Sequence, residues 1–240
     1  MEAENRSLLL SGLEGLGLAV PEQALGRLEQ HLAAVLEWNE RFNLTRIRDE
    51  RDAVLKHIID SATCWQVVTP RPGLQVLDVG SGAGFPGVVL KLLAPDVRVV
   101  LMEATQKKCR FLEHVRDIIA VPGVEVVCAR AEEAGRLPAH REQYDLVVAR
   151  AVAEMRTLVE YALPLVRVGG RFLAMKGPGG AAEAAGAALA IARLGGGSVT
   201  LREISLPGDA GERTLVLVEK AAPTPAPYPR AAGAPEKRPL

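Results

Sequence analysis

The chain has 240 residues, with 29 lysines and arginines against 29 aspartates and glutamates, so its net charge is zero. Hydrophobic residues make up 48% and charged residues 24%, as in a globular protein with a substantial core. Zero net charge excludes a polycation that coats nucleic acid, although it permits a local basic patch. The N-terminus lacks a basic signal region, and no apolar run approaches the roughly 18 residues of a membrane span. These features predict a cytoplasmic protein without membrane association.

Three cysteines, Cys64, Cys109 and Cys128, are widely spaced along the chain. Their odd number and the absence of a CxxC or Cys/His pattern favour neither a disulfide framework nor a zinc site. We therefore expect unpaired thiols and no metal, with Cys109 an ordinary helix residue. No heptad pattern indicates an obligate dimer, so the chain is expected to be a monomer.

Residues 1–68 are predicted to form an N-terminal helical cap. Apolar residues such as Leu25, Leu28 and Leu32 recur at spacings of three and four, which is typical of one buried helix face. A second helix is expected over 53–67. A segment rich in proline, 69–73, then ends the helical pattern.

Residues 69–220 alternate between short apolar runs and helical stretches. The expected strands cover 74–80, 97–103, 124–130, 144–150, 170–176, 198–206 and 214–220, with helices near 87–94, 105–119, 155–166 and 180–194. Continuous Val/Leu runs between helices indicate a parallel sheet that is covered on both faces. The last two strands are joined by a loop too short for a crossover helix, so they should form an antiparallel hairpin. The prediction is an α/β, Rossmann-like domain with a mostly parallel seven-stranded sheet, followed by a Pro/Ala-rich tail at 221–240.

The glycine loop LDVGSGAGFPG, residues 77–87, follows the first strand and begins a helix. Gly82, Gly84 and Gly87 fit the spacing of a dinucleotide-binding loop, in which a helix N-terminus faces a pyrophosphate. Gly80, Gly82 and Gly84 behind Asp78 instead fit binding of S-adenosylmethionine. That cofactor carries a sulfonium and an ammonium group but no phosphate, so a carboxylate beside it is favourable. Asp78 therefore favours a methyltransferase.

Acidic residues also end the second and third strands. Glu103 lies 23 residues after Gly80, where it can accept the ribose hydroxyls of an adenosine, a device that NAD enzymes share. Ala131 and Glu132 follow the third strand, where an adenine edge would lie. Without the glycine loop, Glu132 and its neighbour would read equally well as a solvated acidic pair.

Several patches together resemble the RsmG (GidB) family of bacterial ribosomal RNA methyltransferases, nearly from end to end. They are Asn43-Leu-Thr45, His57-Ile-Ile-Asp60-Ser61, residues 77–87, Lys107-Lys108-x-x-Phe111-Leu112, Arg130-Ala-Glu132, Arg150-Ala151, Met175-Lys176-Gly177 and the C-terminal YPRxxGxPxKxPL. The resemblance implies S-adenosylmethionine-dependent methylation of N7 of a guanosine in the 530 loop of 16S ribosomal RNA. The tail departs from the family pattern, because Ala231 follows Arg230 where a second arginine is common.

The candidate site residues combine the loop chemistry with the family resemblance. The cofactor-binding candidates are Asp78, Gly80, Ser81, Gly82, Gly84, Phe85, Glu103, Ala104, Thr105, Ala131, Glu132 and Arg150. The catalytic candidates are Arg150 and Lys176, which end adjacent strands and can hold guanine O6 or a phosphate. The candidates for RNA binding or for the cap face are Asn43, His57, Asp60, Ser61, Lys107, Lys108 and Arg230.

Guanine N7 already carries an in-plane lone pair, so the expected reaction is a direct methyl transfer that needs no general base and no covalent intermediate. Catalysis would consist of aligning the reacting atoms. Two other functions stay open from the residues alone. One is an NAD-dependent oxidoreductase that uses the Gly82, Gly84 and Gly87 spacing, and the other is a ribosome-assembly factor that binds RNA without catalysis.

Overall fold

The computed structural model describes residues 1–240 and is built around one seven-stranded sheet. The strands are β1 (Gln75–Val79), β2 (Arg98–Glu103), β3 (Val124–Cys128), β4 (Tyr144–Arg150), β5 (Val166–Lys176), β6 (Gly196–Ser205) and β7 (Glu212–Lys220). Their spatial order is β3-β2-β1-β4-β5-β7-β6. Strands β1 to β5 pair in parallel, whereas β7 is antiparallel to both β5 and β6. The predicted mostly parallel sheet with an antiparallel terminal hairpin is confirmed.

Helices cover both faces of this sheet. They are α1 (Ala3–Gly15), α2 (Glu22–Arg41), α3 (Glu50–Ala53), α4 (Asp60–Ala62), α5 (Gly87–Leu93), α6 (Gln106–Ile119), α7 (Ala131–Ala134), α8 (Met155–Ala162), α9 (Gly180–Gly186), α10 (Ala188–Arg193) and α11 (Ala234–Lys237). None of them combines the length and the apolar character needed to cross a membrane. The single helix expected over 180–194 is divided into α9 and α10.

Alternate strand residues enter two separate apolar layers, because successive side chains of a strand point to opposite faces. Val76 and Leu146 join a layer with the apolar residues of α1, α2, α5 and α6. Leu77 and Val147 join the opposite layer, which contains residues of α8, α9 and α10. The N-terminal helices therefore share a core with the sheet. Within this packing, the segment around His57 and Asp60 lies at the sheet's carboxyl edge, where it contacts Arg150.

The second N-terminal helix lies where the periodicity predicts it, but its winding is irregular. A π-helix, Val54–Ile59, separates α3 from α4, and a 3-10 turn, Thr63–Gln66, ends the segment. π-Helical turns are rare and occur often at functional sites. His57 lies in this turn and Asp60 follows it directly.

The C-terminal tail shows no periodicity in the sequence, yet it is fastened to the domain by polar contacts. Arg141 donates to the carbonyl oxygens of Thr224 and Tyr228 at 2.7 and 2.8 Å. Arg156 donates to the carbonyl of Leu240 at 2.6 Å. Arginines of the domain thus bind backbone carbonyls, a pattern that leaves no hydrophobic signature in the tail.

The expectation of three unpaired thiols is wrong for Cys109 and Cys128, which form a disulfide with a Cα–Cα distance of 5.8 Å. Cys128 ends β3 opposite Glu103, and the Sγ atom of Cys109 lies 3.2 Å from the carbonyl oxygen of Glu103. The parallel pairing of β2 and β3 brings the two cysteines together across 19 residues, a spacing that carries no recognisable pattern. Cys109 is a helix residue as expected, and Cys64 is buried and free.

Candidate active site

Two cavities open at the carboxyl edge of the parallel strands, and both are lined by Ala151, the residue after β4. The glycine-loop cavity has a volume of about 280 Å³ and is lined by Gly80, Glu103, Ala104, Ala131, Glu132 and Tyr161, among others. The arginine cavity has a volume of about 450 Å³ and is lined by His57, Asp60, Arg150, Lys176, Glu183 and Arg213, among others. This edge is where open α/β folds bind their ligands.

The glycine loop needs glycine both for its backbone and for the space it leaves. Gly80, Gly82 and Gly84 all have positive φ, at 71°, 57° and 89°, a region that side chains with a Cβ rarely adopt. A Cβ on Gly80 would also lie 2.7 Å from a methyl carbon of Val152, which lines the same cavity. Glycine at this position lets Val152 pack against the loop, and Gly80 itself lines the cavity.

Glu103 holds the glycine loop in place from the end of β2. One carboxylate oxygen accepts the N–H of Gly82 at 3.1 Å, and the other accepts the N–H of Thr105 at 2.9 Å. A carboxylate has about four lone-pair positions, so two remain for hydroxyl groups of a ligand. Glu103 is thus orientated before any ligand arrives.

Glu132 contributes the second carboxylate of the glycine-loop cavity, from the start of α7. Its Oε1 atom accepts the N–H of Gly233 in the C-terminal tail at 2.9 Å. Tyr161 of α8 lines the same wall, and burial raises the pKa of Tyr161 to about 12, so its hydroxyl stays protonated. The contact with the tail spans 101 residues, and sequence reasoning contained no signal for it or for Tyr161.

Asp78, expected beside a ligand, lies beneath the loop instead. It is fully buried and does not line the cavity, and its Oδ2 atom accepts the N–H of Gly87 at 2.9 Å. Burial raises the pKa of Asp78 to about 7. Ser81 is also buried, and its hydroxyl donates to the carbonyl of Asp78. The loop folds back over the strand end, so these polar groups stabilise its shape rather than face the cavity.

Phe85 is likewise buried, between two histidines from the N-terminal helices. The ring centroids of His31 and His57 lie 4.6 and 4.5 Å from that of Phe85. Burial lowers the pKa of His31 to about 4, and burial together with the nearby charge of Arg150 lowers the pKa of His57 to about 3. Both histidines are therefore neutral at neutral pH. His31, which sequence reasoning missed, also binds the carbonyl of Ala83 in the loop at 2.8 Å.

Arg150 organises the arginine cavity through three contacts with the irregular N-terminal helix. It donates to Asp60 Oδ2 at 3.2 Å, to His57 Nδ1 at 3.1 Å and to the carbonyl of Lys56 at 2.7 Å. Because arginine only donates, His57 carries its proton on Nε2, which lies 2.9 Å from the hydroxyl of Thr45. His57 and Asp60 share a helix face, as their spacing predicts.

Asp60 is almost fully buried and is paired with arginine on both oxygens. Arg213 of β7 donates to Oδ1 at 3.0 Å, opposite Arg150 on Oδ2. Sequence reasoning missed Arg213, because it lies 153 residues after Asp60 on the terminal hairpin. Asp60 therefore orientates the two guanidinium groups.

Lys176 ends β5, as predicted, and its ammonium group is held at the cavity wall. It donates to the carbonyl of Ala153 at 2.7 Å and forms an ion pair with Glu183 Oε2 at the same distance. The same Glu183 oxygen accepts the N–H of Met155 at 3.0 Å. Glu183 lies in an alanine-rich helix that gave no functional signal in the sequence.

The RNA-binding candidates are dispersed, and several of them are not placed as expected. Arg230 is not a free cation, since it forms several hydrogen bonds with Glu160, including one of 2.6 Å, and Glu160 is fully buried. Lys108 lines the glycine-loop cavity, while Lys107 lies over the ring of Phe42, 3.8 Å from its centroid.

The remaining candidates lie in or beside the N-terminal cap. Ser61 is buried and its hydroxyl donates to the carbonyl of His57, so it does not reach the surface. Asn43 is exposed in the loop between α2 and α3. Of the cap residues in this group, Asn43 lies at the surface, whereas His57 and the ion-paired Asp60 line the arginine cavity.

The sheet order, the glycine loop and the acidic strand ends define the S-adenosylmethionine-dependent methyltransferase fold. Precorrin-6y C5,15-methyltransferase from Geobacter metallireducens is similar over 68% of this chain and 87% of its own, with a TM-score of 0.50 and 14% identity. A predicted O-methyltransferase from Agrobacterium tumefaciens is similar over 69% and 80%, with a TM-score of 0.52 and 20% identity. These likenesses extend over the sheet domain and show the fold alone.

The sequence comparisons identify the family within that fold. The model of the GidB family, rRNA small subunit methyltransferase G, matches residues 24–206. A ribosomal RNA small subunit methyltransferase G from Symbiobacterium thermophilum is 52% identical over 98% of both chains. The protein of the same name from Roseiflexus castenholzii is 49% identical over 93% of this chain and 95% of its own. The chain belongs to the GidB family, as the resemblance in its motifs predicts.

Proposed function

We propose that the protein transfers a methyl group from S-adenosylmethionine to N7 of a guanine in the 530 loop of 16S ribosomal RNA. Membership of a ribosomal RNA methyltransferase family supports the reaction class. The observation that carries the proposal is the pair of cavities that meet at Ala151. One offers open backbone and two carboxylates, and the other offers arginine and lysine, so donor and acceptor would meet at the wall they share.

The glycine-loop cavity fits S-adenosylmethionine, which supplies a methyl group bound to a positively charged sulfur. The backbone of Gly80 lines the cavity, and Glu103 keeps lone pairs free for the ribose hydroxyls. Glu132, held by Gly233, would accept the adenine amino group. These carboxylates also suit the ribose of a dinucleotide, and membership of a methyltransferase family supports the methyl donor instead.

The arginine cavity fits a reaction that needs alignment and no base. His57 is neutral, and its Nδ1 lone pair is occupied by Arg150. Asp60 is paired on both oxygens. N7 of guanine has no proton to lose, so the reaction does not need either group as a base. Fixed cations beside the base can hold its oxygen and phosphate while N7 remains free, which is catalysis by positioning.

The loop between α2 and α3 supplies a surface for the RNA backbone beside the arginine cavity. Thr45 anchors it, because its N–H donates to Asn39 at 3.0 Å and its hydroxyl contacts His57. Ile47 lines the cavity, whereas Arg46 and Arg48 point outward, are exposed and form no ion pair. Free guanidinium groups on an anchored loop suit phosphate contacts in a protein of zero net charge.

The test is methyl transfer from tritiated S-adenosylmethionine to bacterial small-subunit RNA, followed by mapping of the modified base. We expect one labelled site, N7-methylguanosine in the 530 loop, and no transfer to a transcript in which that guanosine is replaced by adenosine. Titration with NADH serves as a second measurement. Binding of NADH without binding of S-adenosylmethionine, or a label on another atom, would overturn the proposal.

A further inference from the structure

Lys176 and Glu183 form an adjacent donor and acceptor at the wall of the arginine cavity. Lys176 donates one of its three N–H groups to Ala153 and is ion-paired with Glu183 Oε2, so at least one N–H remains for a ligand. Glu183 Oε2 also binds Met155, whereas Oε1 has no hydrogen-bond partner in the protein. The pair therefore presents one unused donor beside one unused acceptor.

We propose that Lys176 and Glu183 read the O6 and N1–H groups of the target guanine, and this inference rests on the proposed function. Guanine has an acceptor, O6, next to a donor, N1–H, which complements the free N–H of Lys176 and the free oxygen of Glu183. Adenine reverses the pattern, with an amino donor beside the N1 acceptor. Adenine would place its amino donor against the N–H of Lys176 and its N1 acceptor against the oxygen of Glu183. The pair therefore discriminates by repulsion as well as attraction.

The position of the pair also leaves the reacting atom free. In the purine ring O6 lies between N7 and N1, so a protein that holds O6 and N1–H does not cover N7. The anchors of the pair are the carbonyl of Ala153 and the N–H of Met155, two and four residues after Ala151, which lines both cavities. The segment after Ala151 separates the two cavities. It thus fixes the Lys176–Glu183 pair relative to the place where transfer would occur.

Base analogues at the target position test the proposal on the whole protein. Inosine keeps O6 and N1–H and lacks only the 2-amino group, whereas 2-aminopurine keeps the amino group and lacks both O6 and N1–H. For the unmodified enzyme we expect kcat/KM with inosine RNA within about fivefold of guanine RNA, and with 2-aminopurine RNA at least about 100-fold lower. Equal rates on guanine and 2-aminopurine RNA would overturn the inference.

The variant Glu183→Gln separates base reading from a structural role. The glutamine oxygen can keep the contact with Met155, so its amide N–H would replace the free acceptor and face the base. We expect kcat/KM on guanine RNA to fall about 10- to 100-fold, while 2-aminopurine RNA, whose N1 is an acceptor, loses nothing or gains. A loss of stability alone would lower both substrates equally, and that outcome would overturn the inference.

Glu154→Gln is the matched control, because Glu154 is an exposed acid one residue before Met155 and does not line the arginine cavity. Its guanine to 2-aminopurine ratio should equal that of the unmodified enzyme, and a changed ratio would mean that any nearby charge alters selectivity. The two proposals fail differently. If guanine RNA is not methylated at N7, the proposed function fails, whereas N7 methylation without discrimination between the bases removes the base reader alone.

Discussion

The two cavities on either side of Ala151 are built from different kinds of sequence information. The glycine-loop cavity is formed mostly by strand ends and the turns that follow them, and its carboxylates are held by backbone N–H groups. The arginine cavity is formed by side chains from the N-terminal helix, β4, β5, α9 and β7. The first is fixed largely by local backbone geometry, and the second exists only after distant elements have packed. Substitutions in the two cavities should therefore fail in different ways.

The largest effect is expected from Gly80→Val in the glycine-loop cavity. Valine would have to adopt a φ of 71°, and its Cβ would lie 2.7 Å from Val152. Affinity for S-adenosylmethionine, measured by calorimetry, should fall by more than about 100-fold. Gly15→Ala is the control, because an added Cβ there meets no atom within 4 Å. A folded Gly80→Val protein with undiminished affinity would place the donor elsewhere.

Arg150→Ala should produce the next largest effect and should separate the two cavities. Loss of the contacts with Asp60 and His57 would displace the groups that align the acceptor, so turnover at saturating donor should fall about 100-fold. Donor affinity should stay within about threefold, because Arg150 lines the arginine cavity rather than the glycine-loop cavity. Arg171→Ala, an exposed β5 residue without an ion pair, is the control. A parallel loss of donor affinity would assign Arg150 to the cofactor.

Glu103→Gln tests the backbone-held carboxylate. The amide nitrogen of glutamine must face the backbone N–H of either Gly82 or Thr105, so the loop loses one hydrogen bond. The ligand also loses a charged acceptor for its hydroxyl groups. Charge-assisted hydrogen bonds contribute about 1.5–3 kcal/mol, so donor affinity should fall about 10- to 100-fold. RNA affinity without donor should not change. Glu133→Gln, at an exposed acid on α7, is the control, and a collapse of RNA binding in Glu103→Gln would contradict the assignment.

The same contrast explains how far the sequence could predict the structure. The glycine loop and Glu103 were predictable because strand, turn and helix follow one another in the chain, and parallel strands bring their ends to one edge. Lys176 was predictable for the same reason. Glu183 was not, because an acidic residue in an alanine-rich helix reads as a solvated face until the fold places it beside Lys176.

Residues that were predicted with a different role reveal the same limit. Asp78 was expected to face a ligand, but a motif gives the order of residues and not the direction in which a side chain points, and the structure buries it against Gly87. Arg230 was expected to contact RNA, and its partner Glu160 lies 70 residues away in α8. Cationic side chains reveal their role only when their partners are known.

The double variant Arg46→Ala/Arg48→Ala should reduce activity only a few-fold at low salt, because neither residue contacts the cavities' ion pairs. RNA affinity should depend less steeply on salt, with the slope of log K against log salt reduced by about 1 to 2. Arg230→Ala makes the matched comparison. It should leave that slope unchanged, yet lower the melting temperature by at least about 5 °C, because Glu160 would remain buried without its partner. A reduced salt slope with an unchanged melting temperature in Arg230→Ala would instead assign Arg230 to RNA contact.

The smallest effect at neutral pH is expected from His31→Gln, which tests a side chain of the N-terminal helices that binds the glycine loop. Glutamine can still donate to the carbonyl of Ala83, so donor affinity at pH 7 should stay within about threefold.

The pH dependence of unfolding should change instead. Because burial holds the pKa of His31 at about 4, below its ordinary 6.5, the unfolded chain takes up a proton first on acidification, and stability falls between those values. The slope of unfolding free energy against pH measures how many more protons the unfolded chain binds. Because glutamine does not titrate, this number should decrease by up to about one in this window, while His57 continues to contribute. An unchanged slope in urea unfolding at pH 4.5 to 6.5 would show that His31 is not buried in its neutral form.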